Sequence, residues 1–419
     1  MRVVIVGAGL GGLALAHGLR AAGIDVAVHE RSSRTGPQPA SYGIHINDHG
    51  NRALRACLPP ENWARFDRSA APAPNAVRFR DQDLTVLTDL ELGSPAENAD
   101  PITHRRAVRR DDLHRALRCG LDPVIHWDST FVSYAQRPDG TVRVDFADGT
   151  STEGDLLVGA DGSNSRVRRQ YLPELVRHEL GILDVAGRLP LDHPAVRVLP
   201  ADMTDGSVNN VVPRGSGWLF ASTWPASHDG APESGTDDGV LVWAYAAARE
   251  AYPDDVESLD AAALQRWVGD RVAGWDPRVV AMIAASAPDT VAPVSLRSMS
   301  TLPDWESSTV TVLGDAIHSM TPMAGIGANT ALRDADTLRR ALTDPGPDDL
   351  VARIRRYEER MRGYANEALA VSTRNARNAA STHRLPRLAF RTLLTATNAV
   401  PALKRTVFPA TRQSVPGAG

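Results

Sequence analysis

Three glycines near the start of the chain, Gly7, Gly9 and Gly12, stand in the spacing G-x-G-x-x-G, and a carboxylate follows at Glu30. Such glycines handle phosphate through the backbone. The first permits a tight turn, the second lets the main chain approach a pyrophosphate, and the third allows a helix to pack closely on a strand. The helix opened at Leu10 offers free N–H groups and a partial positive charge to an anion. Glu30 stands where a carboxylate accepts hydrogen bonds from ribose hydroxyls, which disfavours a 2′-phosphate and points to NAD or FAD rather than NADP at this place.

The elements that must position these groups are legible. Val3 to Val6 is a β-branched run suited to a strand buried on both faces; Leu10, Leu13, Ala14, Ala16 and Leu19 recur at helical spacing; Ile24 to His29 then extends into Glu30. The apolar start after Arg2 imitates a secretion signal, but the glycines, His17 and Arg20 interrupt it and no A-x-A site follows. Two later segments repeat the form of an apolar strand ending in an acid. Asp155 to Ala160 runs into Asp161-Gly-Ser-Asn-Ser-Arg166, and Val310 to Leu313 runs into Gly314-Asp315, then Pro322, then Gly325-Ile-Gly327-Ala328-Asn329 at the mouth of a helix. By themselves Asp161 and Arg166 could equally be turn-closing or helix-capping groups, and an N-cap is the lesser alternative for Asp315.

In this order the three segments resemble the fingerprints of the FAD-dependent aromatic hydroxylases, the single-component class A flavoprotein monooxygenases that include tetracycline-inactivating and polyketide-tailoring enzymes. The resemblance runs from residue 1 to about 345, with 173–277 matching only in general character. It implies an α/β fold: a Rossmann-like FAD-binding domain (GR2-type) interrupted by a mixed β-sheet substrate domain, with C-terminal helices. It also implies that Asp315 accepts from a ribityl hydroxyl and that Gly325, Gly327, Ala328 and Asn329 line the flavin's pyrimidine edge beside Pro322. Asp161 would order loops around the FAD, Arg110 would face the flavin, with Arg109 leaving the register open by one, and Arg31 would lie near the adenine unless it is simply solvated. His318 is structural in this reading. The chain departs from many relatives at Ile326, where they carry Gln, and it has neither a W-x-W-x-I-P segment, which argues against halogenases, nor an extension toward a thioredoxin-like domain.

Composition narrows the alternatives. Hydrophobic residues make up 42% and charged residues 23% of 419, which suits a large buried core and disfavours disorder. Forty-six basic against fifty acidic side chains give −4, and Lys404 is the single lysine, so no nucleic-acid partner is expected. Cys57 and Cys119 make neither a disulfide framework nor a metal site, which favours a reducing, cytoplasmic location. No integral membrane segment is expected.

The nucleotide domain is assembled from 1–68, 99–172 and 278–345, and a substrate-binding domain from 69–98 and 173–277. The latter is rich in extended runs at Val77 to Phe79, Val208 to Val212, Trp218 to Thr223 and Val240 to Tyr245, with Asp229 to Asp238 as an exposed loop. Residues 346–419 form a C-terminal helical segment, in which Leu350, Ile354, Tyr357 and Met361 share one face and Pro386 precedes a last helix from about Leu388. Polar and aromatic residues expected to line the substrate between roof and flavin are His45, Asn209, Trp218, Trp224 and Arg297, with Arg214 nearby, although core packing competes for each.

The activity implied by the resemblance is an NAD(P)H- and O2-dependent hydroxylation of an aromatic or polycyclic small molecule through a flavin C4a-hydroperoxide, by a monomer or homodimer. NADPH or NADH would visit transiently, since no second nucleotide fold is present. Epoxidation, antibiotic inactivation and an O2-independent flavin reductase are competing chemistries on the same scaffold. A flavin-holding regulatory protein is the non-enzymatic competitor. No catalytic base and no metal ligand is identified.

Overall fold

β-Branched and aliphatic runs of four or five residues build the centre of the nucleotide half. In the computed structural model, which describes residues 1–34, 43–74, 76–91, 100–224, 239–346 and 348–408, they form a five-stranded sheet. Its strand order is Val310–Val312, Leu156–Gly159, Arg2–Val6, Asp25–His29 and Ile125–His126, and every pairing is parallel. Ile5 sits in register with Val158 on one side and Val28 on the other. Val3, Val4 and Ile5 are wholly buried, as a central parallel strand with both faces covered requires.

A parallel sheet puts all its strand ends on one edge. Gly7, Glu30, Ala160-Asp161 and Gly314-Asp315 therefore emerge along the same rim, although about three hundred residues separate the first from the last. The helix Leu10–Ala21 packs against the helix Gly327–Thr343. Gly11 makes their approach possible, because a Cβ there would lie 2.7 Å from a Leu313 methyl and 3.1 Å from the Ala331 carbonyl. A three-stranded antiparallel sheet of Phe131–Gln136, Val142–Phe146 and Ser151–Gly154 belongs to the same half.

The chain divides into two compact units: 1–69, 110–179 and 297–375 form the first, and 70–109, 180–296 and 376–419 the second. The sequence-based boundaries thus shift. Residues 99–109 and 278–296 group with the second unit, and the C-terminal segment is divided at 375 instead of standing apart. Strand pairing is the reason in the middle region, because Ala292–Met299 is an edge strand of the second unit's sheet.

That sheet has seven strands in the order Ala292–Met299, Arg177–Pro190, Val240–Ala248, Trp218–Trp224, Val208–Val211, Ala76–Arg80 and Val86–Glu91. It is mixed: Val208–Val211 runs parallel to Ala76–Arg80 and antiparallel to Trp218–Trp224. Leu183, Val185, Leu219, Leu241, Trp243 and Tyr245 from one face form a core with the helices Ala261–Val272 and Pro277–Ala284. Gly187 leaves room for the Trp243 ring, whose Nε1–H donates to Ser286 Oγ at 2.7 Å.

At the C-terminal end the helix Leu350–Ala380 buries Ile354, Tyr357 and Met361 completely. Pro386 does not precede the last expected helix. It lies in the first turn of Arg384–Ala399, where its missing N–H costs nothing because that donor has no intrahelical partner. The loop expected at Asp229 to Asp238 lies outside the described residues.

Candidate functional site

Along the rim of the parallel sheet the order is Glu30, the glycine loop, Asp161 and Asp315, one per strand end. Neighbouring strands are about 4.8 Å apart, so Glu30 and Asp315 terminate strands roughly 14 Å apart, a span suited to an extended dinucleotide laid across the edge.

The glycines of the first loop are needed for two different reasons. Gly7 has φ +112°, and a Cβ there would stand 2.3 Å from the Ala160 carbonyl oxygen; a Cβ on Gly12 would stand 2.2 Å from the Gly7 oxygen. Both are demanded by the fold itself. Gly9 has φ −76° and nothing within 4 Å of a Cβ, so the protein alone gives no reason for glycine there. A ligand approaching the Gly9 backbone supplies one. The helix begins at Leu10, which is buried, and its first-turn N–H groups have no intrahelical acceptor.

Ala8, between the glycines, is held at both ends. Its N–H donates to Glu30 Oε2 at 2.8 Å, and its carbonyl accepts from His114 Nε2 at 2.9 Å. Glu30 Oε1 accepts from the Ser32 N–H at 2.9 Å. Each carboxylate oxygen keeps a lone pair for a ribose hydroxyl. His114 was not singled out by motif, yet it lies one turn along from Arg110 on the helix Arg110–Arg118. Burial, reinforced by the Arg110 and Arg118 charges, keeps its imidazole below the ordinary histidine range, so it is a neutral donor. Arg110 opens that helix in the first unit, whereas Arg109 ends the strand Arg106–Arg109 in the second. Arg31 is exposed.

At the second rim position Asp161 caps a helix. Its Oδ2 accepts from the Arg166 N–H at 2.7 Å and the Val167 N–H at 3.3 Å, and the Arg166 guanidinium donates to the Phe131 carbonyl at 2.9 Å. Arg166 is therefore structural. Asp161 Oδ1 is buried without a partner among the described residues, an unused acceptor on the rim.

Asp315 is the first residue of a short helical turn and is exposed. A Cβ on Gly327 would lie 3.9 Å from Asp315 Oδ1, so the acid and the G-x-G segment share one place. Gly325 takes φ +62°, where a side chain would be strained, and Pro322, exposed, opens the turn leading to it. Ala328 is half-buried near the start of Gly327–Thr343. Asn329 differs from expectation. Its Nδ2 donates to the His45 carbonyl at 2.9 Å and its Oδ1 accepts from the Asn47 N–H at 2.9 Å, so its side chain clamps the strand end at 45–47 instead of reaching a ligand.

Beneath this rim lies a buried network. Asp334 Oδ2 accepts from the Gly314 N–H at 2.7 Å and pairs with His318 Nε2 at 2.6 Å, while Oδ1 accepts from the Tyr364 hydroxyl at 2.6 Å. Burial opposes a charge on His318, but Asp334 outweighs it and raises the imidazole above its ordinary value. The histidine thus supports the Gly314-Asp315 turn, as expected of a structural residue.

The expected substrate residues scatter. His45 is buried on the strand Gly43–Ile46. Asn209 is wholly buried on the core-facing side of the second sheet, accepting from Arg80 Nε at 3.2 Å beside the Arg80–Asp202 ion pair, so it belongs to a structural polar cluster. Arg297 forms an exposed ion pair with Glu179 on the neighbouring strand of the seven-stranded sheet. Arg214 is exposed. Trp218 and Trp224 both project from the face of the second sheet opposite its core, with Trp218 Nε1–H donating to Asn210 Oδ1 at 2.9 Å.

With this geometry in hand the comparisons decide the family. A profile of the FAD binding domain family matches residues 1–267 and 269–379. The chain belongs to that family. A crystallised protein of Photorhabdus luminescens subsp. laumondii TTO1, assigned as an FAD containing monooxygenase, is 41% identical and superposes with a TM-score of 0.83 over 90% of this chain and 98% of that one. The 3-amino-4-hydroxybenzoate 2-monooxygenase PtmB3 of Streptomyces platensis is 31% identical over 369 residues, 85% of this chain and 83% of that protein. The dual O-methyltransferase/FAD-dependent monooxygenase CTB3 of Cercospora beticola is 29% identical over 394 residues, 87% of this chain. The chain spans 44% of the length of that relative. FAD is the cofactor of this flavoprotein, and its fold is the Rossmann-like FAD-binding fold with a second mixed sheet.

The rim fits FAD on its own evidence. Open space at Gly9, free acceptor capacity on Glu30 and Asp161, and an exposed Asp315 beside Gly327 all lie on one edge, in the order in which the molecule presents ribose, pyrophosphate and ribityl chain. Among the described residues no cluster of His, Cys, Asp and Glu is placed to hold a metal, and no helix is long and apolar enough to cross a membrane.

Proposed function

We propose that the protein is an NAD(P)H- and O2-dependent FAD monooxygenase that hydroxylates an electron-rich aromatic or polycyclic small molecule. The observation that carries the reading is the rim, where four strand ends bring together the groups an extended flavin dinucleotide needs. Family membership, with relatives named as monooxygenases, supplies the reaction class. Bound FAD supplies the redox chemistry: hydride from NAD(P)H reduces it, and of the two atoms of O2 one enters the substrate while the other leaves as water.

The chain's own groups then have definite tasks. The Gly9 backbone and the first-turn N–H groups after Leu10 hold the pyrophosphate. Glu30, fixed by Ala8 and Ser32, accepts from the adenosine ribose, and Asp315 from the ribityl chain. The start of the helix Gly327–Thr343, with Gly327 and Ala328 keeping its first turn unobstructed, would stabilise negative charge on the flavin's pyrimidine edge electrostatically. The second unit bears the substrate. A reducing, cytoplasmic location suits its two cysteines, which are unpaired, Cys57 buried and Cys119 exposed.

The test is a screen of phenolic and polyketide-like aromatics for stimulated NADH and NADPH oxidation, with oxygen uptake and product mass measured together. A gain of one oxygen atom, absent without O2, is expected. Product formed anaerobically would make the protein a flavin reductase; no stimulation by any aromatic would make it a flavin-holding regulator.

A further inference from the structure

On the second unit's sheet, side chains alternate between two faces. Leu183 and Val185 point into the helix-covered core, so Asp184 between them points to the other side. Its cross-strand partner is Ala246, and the partner of Ala246 on the next strand is Trp218. One step along, Ala186, Ala244, Phe220 and Asn210 line up in the same way. This face thus carries a floor of alanines with a carboxylate at one side and indole and phenyl rings at the other, about 10 Å across from Asp184 to Trp218 by two strand spacings.

The carboxylate is out of place by ordinary rules. Asp184 is 3% exposed, and its Oδ1 has no hydrogen-bond partner among the described residues. Burial pushes its acid up to about 7. A buried acidic group with an unpartnered oxygen is costly to folding. Its cross-strand neighbours Ala246 and Trp218 are buried, while Ala186, Ala244, Phe220 and Asn210, one step along the same face, are only half-buried.

We propose that Asp184 is the polar anchor of a ligand surface on this sheet face, accepting a hydrogen bond from an O–H or N–H group on an aromatic substrate whose ring lies over Ala186 and Ala244 beside Phe220. The inference rests on the reading of the second unit as the substrate-bearing one, and it narrows the substrate class. A methyl ether or a fully N-methylated amine in place of the donor leaves the carboxylate unpaired, and a site built to bond a donor rejects such analogues strongly.

The test uses the FAD-loaded protein and calorimetric titration without NAD(P)H. The probes are 2-naphthol against 2-methoxynaphthalene, and 2-naphthylamine against its N,N-dimethyl derivative. The wild type is expected to bind each donor-bearing probe at least about tenfold more tightly than its methylated partner. Asp184→Ala should weaken the donor-bearing probes by about 10- to 100-fold and equalise the pairs, with Asp184→Asn intermediate because its amide oxygen still accepts. Both variants should melt no lower than wild type, since an orphaned buried carboxylate is removed. Equal binding within the pairs by wild type, absence of binding by every probe, retained discrimination in Asp184→Ala, or a lowered melting temperature in both variants would each overturn the anchor. Because binding is read without reductant, discrimination in calorimetry with no oxygenated product on adding NAD(P)H and O2 would sink the monooxygenase reading and leave the anchor standing.

Discussion

Replacing Gly9 by alanine separates what the fold needs from what the cofactor needs. At Gly7 or Gly12 an added methyl meets backbone at 2.3 or 2.2 Å, so Gly7→Ala or Gly12→Ala disturbs the apoprotein itself. At Gly9 the methyl meets nothing within 4 Å, and φ −76° is ordinary for alanine. The apoprotein should therefore keep its stability or gain about 0.4–1 kcal/mol from a less flexible unfolded chain. A methyl standing between this backbone and a pyrophosphate should instead weaken FAD by about 2.7 kcal/mol, a factor of 100. At an FAD concentration of about 100 times the wild-type Kd the ligand stabilises wild type by about 2.7 kcal/mol, and a hundredfold weaker variant by only about 0.4 kcal/mol. The assay is a pair of melting curves with and without FAD, accompanied by a fluorescence titration for Kd. The expected pattern is an unchanged apo midpoint and a nearly lost FAD-induced shift. A variant that binds FAD with the wild-type Kd would refute the placement of the pyrophosphate over Gly9; one that melts early without FAD would refute the claim that the fold leaves this space open.

Two further outcomes follow from the rim and from the sheet beside it. Asp315→Ala should lower FAD affinity by about 1.5–3 kcal/mol through loss of one hydrogen bond to a charged acceptor, measured by flavin release on dilution, with the apo melting point nearly unchanged because the side chain is exposed. His29 is buried against His126 and Phe146, and burial, aided by the neighbouring His126, lowers its imidazole from 6.5 to about 4. Its depressed value means that the unfolded chain binds the proton first. The stability it allows is present above about pH 6.5 and is lost as the pH falls through 4, by about 3 kcal/mol over that window. Chemical denaturation between pH 7 and 4 should show this loss in wild type, and His29→Asn should flatten it; an unaltered profile in the variant would assign the acid sensitivity to other groups.

Local signals in the sequence carried much of this picture because they depend on local physics. A β-branched run, a glycine that must turn and an acid at the strand end are properties of ten to thirty neighbouring residues, so the strands at 2–6, 25–29, 156–159 and 310–312 and the helix after Gly9 were all legible. The individual side-chain roles were less so. Asn329 and Asn209 carry polar groups suited to a ligand, yet each is fully engaged by the protein, one on the backbone at 45–47 and the other on Arg80. Arg297 differs for a simpler reason, since its partner Glu179 stands on the neighbouring strand of the same sheet. His114 and Asp184 were missed because neither stands in a motif; the first is recognised by the carbonyl it holds and the second by its lack of any partner for Oδ1.

The sequence by itself determined that a nucleotide is held and that the chain folds as an interrupted α/β unit with a second sheet. Only the tertiary structure decided that Glu30, Gly7, Asp161 and Asp315 share one rim in that order, since parallel pairing of strands more than a hundred residues apart is a long-range choice. It also decided the face on which each alternating residue lies, because a shift of one position in register sends a side chain from core to surface. Asn209 and Asn210 are adjacent in sequence and face opposite ways for that reason, as do Leu183 and Asp184.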